Sequence, residues 1–272
     1  MSRYEVSLAP SVSIPLLGMG TWKLQGKPCE KTVRTALEIG YRHIDTAHFY
    51  ENHREIREAI RGFPREKLFL TSKFTPSQLE NETIAKSCGR ALKELGIDYL
   101  DLYLIHWPDR ELPMKSIAKE LEQLQAMGKI RAWGVSNFTI RHLKDMIEWG
   151  FSPAANQVEF HPYLHQKELL DYCNQKNVRL IAYRSLGMGA LVADPIVEQI
   201  AENHGKTVTQ VLLRWAVEKQ IPVIPKATSK KHLEENFAIF DFKLKKGDVE
   251  ILDNLTFQHR FCQSPKFDFD YQ

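Results

Sequence analysis

Short apolar runs alternate with longer stretches of helical period along almost the whole chain. "IPLLGMG" (14–20) leads into "CEKTVRTALEIG", "YRHID" (41–45) into "REIREAIRGF", and "KLFLTSK" (67–73) into "NETIAKSCGRALKELG". "YLDLYLIH" (99–106), "IRAWGVSN" (130–137) and "PAANQVEF" (153–160) are each followed by a helical stretch, and so are "VRLIAYRSL" (178–186) and "QIPVIPKA" (220–227). Eight strands separated by helices imply parallel neighbours, because parallel strands need a crossover and cannot be joined by a tight turn. Eight such units in 272 residues fit a closed (β/α)8 TIM barrel better than an open doubly wound sheet. The segment 187–204, "GMGALVADPIVEQIAENH", reads as an added loop and helix after the seventh strand.

Composition narrows the class without naming a chemistry. The 43 % apolar and 26 % charged content is that of an ordinary globular chain, and a charge of +3, from 37 basic against 34 acidic residues, leaves no nucleic-acid stripe. No apolar run approaches the roughly 18 residues of a membrane span and no leader-like segment follows Met1, so a cytoplasmic protein without a membrane partner is expected. Cys29, Cys88, Cys173 and Cys262 form no C-x-x-C pair, which argues against a disulfide framework or a zinc knuckle. With no linker or shift in composition, residues 1–272 are read as one barrel domain. A monomer is expected, since no coiled-coil seam or extended apolar surface helix is evident.

In a parallel barrel the strands' carboxyl ends converge on one axis, so polar residues that end an apolar run carry the information. Strand two ends in Asp45 with Tyr50 just behind, strand three in Lys73, strand four in His106 and Trp107, and strand five in Ser136 and Asn137. Strand six carries Asn156, Gln157 and Glu159, and strand eight ends in Lys226. Any one of these is as easily a solvated strand terminus; their convergence is harder to dismiss. A phenol, an ammonium, a carboxylate and an imidazole together can make an acid: a cation beside the phenol favours phenolate, and a carboxylate behind the cation keeps it charged. A free phenol has a pKa of about 10, so bringing it to neutrality costs on the order of 4 kcal/mol. Such a group can protonate a developing oxyanion but supplies no electrons.

These residues lie within motifs that resemble the aldo-keto reductase family: "GMGTW", "GYRHIDTAHFY", "LFLTSK", "LGIDYLDLYLIHWP", "GKIRAWGVSNF", "NQVEFHPYL" and "VIPKATSKKHLEEN", ordered over most of the chain. The resemblance implies a barrel that binds a nicotinamide dinucleotide, NADPH in most members, without a Rossmann fold. It also implies hydride transfer to an aldehyde or ketone. Consistently, "GMGTWK" and "GMGALV" both lack the third glycine of G-x-G-x-x-G. Carried over, Tyr50 is the general acid, Lys73 and Asp45 its partners, and His106 orients the substrate carbonyl. Ser136, Asn137 and Gln157 hold the carboxamide, Tyr183 stacks on the nicotinamide, and Thr21, Asp45, Leu186, Lys226, Ser229, Glu235 and Asn236 are further cofactor contacts. Trp22, Phe49 and Trp107 wall the substrate pocket, with simple packing as the plain alternative for the two tryptophans.

Several positions depart from the family pattern. His232 stands where an Arg typically grips the 2′-phosphate of NADPH, and Ala227 where Ser is usual. An imidazole cannot make the bidentate contact of a guanidinium, so NADPH is expected to remain preferred, through the lysines, with NADH also accepted. "AYRSLG" replaces the usual "AYSPLG" and puts Arg184 either on the pyrophosphate path or in a solvent-facing loop. His53 and Arg57 stand where Glu and Gly are common, an alteration of helix packing more than of chemistry. The short tail "HRFCQSPKFDFDYQ" most resembles the bacterial 2,5-diketo-D-gluconate and methylglyoxal reductase branch, and predicts an open pocket for small aldehydes and α-dicarbonyls. Of the other histidines, His43 is assigned to strand packing, His48 to the pocket rim and His53 to the first turn of the next helix. His161 and His165 are not expected to form a metal pair, because Pro162 breaks the helix that would align them. The rival functional reading is a cofactor-binding regulatory subunit with little turnover, and the intact tetrad argues against it. A Schiff-base barrel built on Lys73 would need a glycine-rich phosphate loop that "IPKATSKK" does not provide.

Overall fold

The computed structural model describes residues 4–75, 83–263 and 268–271. The predicted start of the third helix at Asn81 lies outside them; the helix itself begins at Ile84 behind Thr83, whose hydroxyl accepts from the Lys86 amide.

Two strands precede the barrel, β1 (Glu5–Ala9) and β2 (Val12–Pro15), paired antiparallel. The run 14–20, which reads as one strand in the sequence, is therefore divided between this hairpin and β3 (Gly18–Gly20). Arg179 and Arg131, near the amino ends of their strands, donate to the carbonyls of Ser7 and Ser11, so the hairpin covers the amino-terminal mouth of the barrel.

From β3 the chain alternates as the pattern predicts: α1 (Gly26–Ile39), β4 (His43–Asp45), α2 (His53–Ile60), β5 (Phe69–Phe74), α3 (Ile84–Leu95) and β6 (Leu100–Ile105). It continues through α4 (Met114–Ala126), β7 (Ile130–Ser136), α5 (Ile140–Glu148), β8 (Ala155–Glu159), α6 (Lys167–Gln175) and β9 (Arg179–Tyr183). The added segment after β9 is a tight turn, Gly187–Ala193, followed by α7 (Pro195–His204), with Asp194 capping and Pro195 in the first turn. The helices α8 (Val208–Glu218), α9 (Lys230–Phe237) and α10 (Lys246–Asp253) complete the shell. Strands β3 to β9 form one parallel sheet in sequential order, with β5, β6 and β8 buried at every position.

The eighth strand is reduced to a seam. Val223 bridges in parallel to Leu17 on one side and to Ala182 on the other, and so joins β9 back to the first strand. Pro222 and Pro225 flank this seam and have no N–H to give, which prevents a longer ladder. Their carbonyls still accept, from Ala182 and Gly20 respectively. Gly20 is required by this closure: a Cβ there would lie 2.6 Å from the Ile224 carbonyl oxygen. The result is eight parallel strands in a nearly closed barrel, with the carboxyl ends opposite the hairpin.

Candidate active site

A cavity of about 480 Å³ opens at the carboxyl ends of the strands. Among the residues singled out in the sequence, Thr21, Trp22, Asp45, Tyr50, His106 and Ser136 line it, joined by Gln157, Tyr183, Leu186 and Lys226. Lys73 lies just beneath, fully buried at the end of β5. Its ammonium donates to Asp45 Oδ1 at 2.5 Å and to the Thr46 carbonyl at 2.9 Å, and faces the Tyr50 hydroxyl at 3.5 Å. Asp45 accepts on its other oxygen from Gln157 Nε2 at 2.7 Å. Tyr50 sits on a short turn, His48–Tyr50, and meets the His106 ring edge-on with centroids 5.9 Å apart.

Electrostatics follow from burial. The Lys73 ammonium would be lowered by desolvation, but Asp45 and Tyr50 outweigh that and hold it above its usual value. Burial lifts the Asp45 carboxyl, with Lys73 and Gln157 pulling the other way. For Tyr50 burial also dominates: the phenol is raised above 10 despite Lys73, whereas the sequence suggested a lowered value. A contact at 3.5 Å is too long to offset desolvation of a phenolate. His106 is driven well below its ordinary value, first by burial and then by Lys73, so the ring is neutral at pH 7. Tyr50 thus keeps its proton to high pH, while His106 is already neutral, with one N–H left to donate. If Tyr50 gives that proton, a rate in the reducing direction should be flat between about pH 7 and 9 and fall only as the phenol ionises. A stopped-flow pH profile with a break near the ordinary imidazole value would contradict this.

Behind the cavity, Asn137 is held in the left-handed region (φ 66). Its Nδ2 donates to the His106 carbonyl and to Ser136 Oγ, and its Oδ1 accepts from the Tyr183 hydroxyl at 2.6 Å. Ser136 Oγ in turn donates to the Gln157 carbonyl. The predicted carboxamide and stacking residues therefore form one network across β7, β8 and β9. At the far end, Ser229 caps α9 by accepting from the His232 amide, and Lys226 is exposed. Glu235 is half-buried, and the buried Oδ1 of Asn236 has no hydrogen-bond partner among the described residues. An unpartnered buried acceptor suits an amine donor such as that of adenine, so these residues fit a nicotinamide adenine dinucleotide. Phe49, 61 % exposed, and Trp107 do not line the cavity; Trp107 stacks on His106 and meets Phe269 of the tail edge-on.

Cys262 and Lys23, not singled out as site residues in the sequence, also line the cavity. Cys262 arrives from the tail, whose backbone amides at 261 and 262 both donate to the buried Glu159. Nothing local in the sequence signals that contact, which joins residues about a hundred positions apart. Arg184 takes neither predicted place exclusively: it lines the cavity and leans on Trp22 and Glu159.

His43 is buried against Phe69 and bonded to Thr71, a packing role; His53 opens α2. His48, His53 and Glu94 lie close enough together to consider a metal. Arg90, however, donates to His48, and His53 contacts Glu94 and Ser72 through its two ring nitrogens, an arrangement that opposes a cation. His161 and His165 take separate partners, Glu159 and the Asp253 carbonyl.

Among the described residues no helix is long and apolar enough to cross a membrane. At this mouth a buried ion pair, a phenol and a neutral imidazole meet, a set suited to giving a proton to a developing oxyanion. The Aldo/keto reductase family model matches residues 16–256, and the chain belongs to that family, making it an oxidoreductase. It is 40 % identical over 264 residues to "Glyoxal reductase" of Bacillus subtilis (strain 168), covering 96 % of this chain and 95 % of that one. It is also similar to the crystal structure of MGS-M4, an aldo-keto reductase enzyme from a Medee basin deep-sea metagenome library, at TM-score 0.91 and 35 % identity, with 98 % of each chain covered. The aldose reductase of Schistosoma japonicum superposes at TM-score 0.88 and 34 % identity, over 96 % of this chain and 93 % of that one.

Proposed function

We propose that this enzyme reduces small aldehydes, ketones or α-dicarbonyls to alcohols with NADPH, Tyr50 donating the proton. The observation that carries the reading is the buried chain from Gln157 through Asp45 and Lys73 to Tyr50, which ends in a protonated phenol on the cavity wall. Bound there, the reduced nicotinamide supplies the hydride. His106, neutral and edge-on to Tyr50, gives the carbonyl oxygen a hydrogen bond, and Tyr50 transfers its proton as negative charge gathers on that oxygen. Lys73, held ionised by Asp45, stabilises the phenolate that remains. Ser136, Asn137 and Gln157 orient the carboxamide, Tyr183 provides the stacking face, and the half-buried Trp22 forms one wall for an apolar substrate.

Loss of NADPH absorbance with methylglyoxal, glyoxal and a panel of aldehydes tests the reaction. Tight NADPH binding without turnover of any carbonyl would overturn it. On cofactor choice, His232 is exposed on the first turn of α9, with Lys230 and Lys231 beside it. We expect the ratio of NADPH to NADH affinity to be modest. His232→Arg should raise it by about 10-fold, the value of one charge-assisted contact, read by quenching of protein fluorescence. An unchanged ratio would show that α9 does not read the 2′-phosphate.

A further inference from the structure

The cavity wall carries three cations, Lys23, Arg184 and Lys226, and one carboxylate, Asp45, whose two oxygens are already taken by Lys73 and Gln157. Arg184 is the least exposed of the three, since Lys23 and Lys226 both stand in solvent. Its side chain is only 18 % exposed, and its hydrogen-bonding partner is Glu159 at 3.5 Å. Glu159 has three shorter donors: the Cys262 amide at 2.6 Å, the Phe261 amide at 2.7 Å and His161 Nε2 at 3.0 Å. Its carboxylate is thus largely satisfied before Arg184 arrives, and among the described residues most of the five guanidinium donors remain available.

Two further observations fix what Arg184 faces. Its guanidinium lies over the Trp22 ring, 5.5 Å from the centroid, a contact that orients the planar fork. Glu159, which Arg184 contacts, is the carboxylate that holds the 261 and 262 amides, and Cys262 lines the same cavity as Tyr50, so the guanidinium stands on the tail side of the mouth. Lys226 and Ser229, the residues matched to the adenosine end of the cofactor, lie instead beside the eighth-strand seam and at the cap of α9. Arg184 also holds a left-handed backbone (φ 51), an unfavourable conformation for a residue with a long side chain.

We propose that Arg184 is the recognition site for a carboxylate on the substrate, so that the pocket selects carbonyl compounds that also carry an acid group. The proposal rests on the reductase reading above and names its substrate class. A substrate carboxylate can take a bidentate contact from the guanidinium, shorter and better aligned than the single long one to Glu159.

The test compares 4-carboxybenzaldehyde with its neutral isostere 4-formylbenzamide in the wild type and in Arg184→Gln, with NADPH affinity measured separately by fluorescence. The expected result is kcat/KM about 10-fold or more in favour of the acid. In the variant that preference should disappear through KM, with the amide changed by less than about 2-fold and NADPH affinity unchanged. Equal losses on both aldehydes, or weakened NADPH binding, would overturn the proposal and assign Arg184 to packing or to the cofactor. If Arg184→Gln does not fold, Arg184→Lys carries the same comparison: partial loss on the acid alone supports the proposal, and equal loss on both overturns it. If neither aldehyde is consumed, turnover of methylglyoxal, glyoxal and the aldehyde panel decides the reductase reading, and calorimetry on the NADP+-loaded protein decides this one. Tighter binding of 4-(hydroxymethyl)benzoate than of 4-(hydroxymethyl)benzamide that depends on Arg184 supports it, and equal binding overturns it.

Discussion

Tyr50→Phe should lower kcat/KM for carbonyl reduction by about 10³-fold while leaving NADPH affinity within about 2-fold. The change removes one oxygen. Lys73 keeps its contacts to Asp45 and the Thr46 carbonyl, at 2.5 and 2.9 Å, and the lost contact to Tyr50 is the longest of the three. The ion pair beneath the cavity therefore stays intact, and thermal stability should change little. A large loss of turnover in a folded, cofactor-binding variant isolates the proton. Retention of turnover within about 10-fold would remove Tyr50 from the role and direct attention to His106, whose ring meets Tyr50 edge-on at that wall.

Lys73→Met should affect both folding and chemistry. Asp45 would be left buried, 2 % exposed, with Gln157 as its remaining side-chain donor. Breaking a buried pair from one side costs about 3 to 5 kcal/mol, because an uncompensated charge stays behind or must be protonated. Urea unfolding at neutral pH should report that loss. The double variant Lys73→Met with Asp45→Asn removes both charges and should recover much of the stability, yet turnover should remain depressed by 10²-fold or more. Recovery of turnover along with stability would mean that the pair serves folding alone and that Tyr50 needs no cation beside it.

Much of the architecture was legible because its cause is local. A strand buried on both faces reads as a continuous apolar run, as in "LDLYLI" of β6, and a helix against it reads with its own period. At the first strand locality fails: "IPLLGMG" is one apolar run, and only the pairing of Val12–Pro15 with Glu5–Ala9 separates hairpin from barrel. The eighth strand was predicted where Val223 lies, but its prolines limit it to a seam that holds through its two neighbours.

The candidate site divides along the same line. Asp45, Lys73, His106 and Gln157 stand at or near strand ends, and their residue types alone imply an acid supported by a cation. Whether that acid is raised or lowered was beyond the sequence, because desolvation depends on what surrounds Tyr50 and not on its neighbours in the chain. The same holds for Cys262, brought to the cavity by amides that bind Glu159, and for Arg184, which turns toward Trp22 and the tail. The sequence by itself determined the order of elements and the chemical groups delivered to one end of a barrel, since periodicity and strand polarity are properties of neighbouring residues. Only the tertiary structure decided burial, partner and charge state, since these depend on distances between residues far apart in the chain, from the 28 positions between Asp45 and Lys73 to the 103 between Glu159 and Cys262.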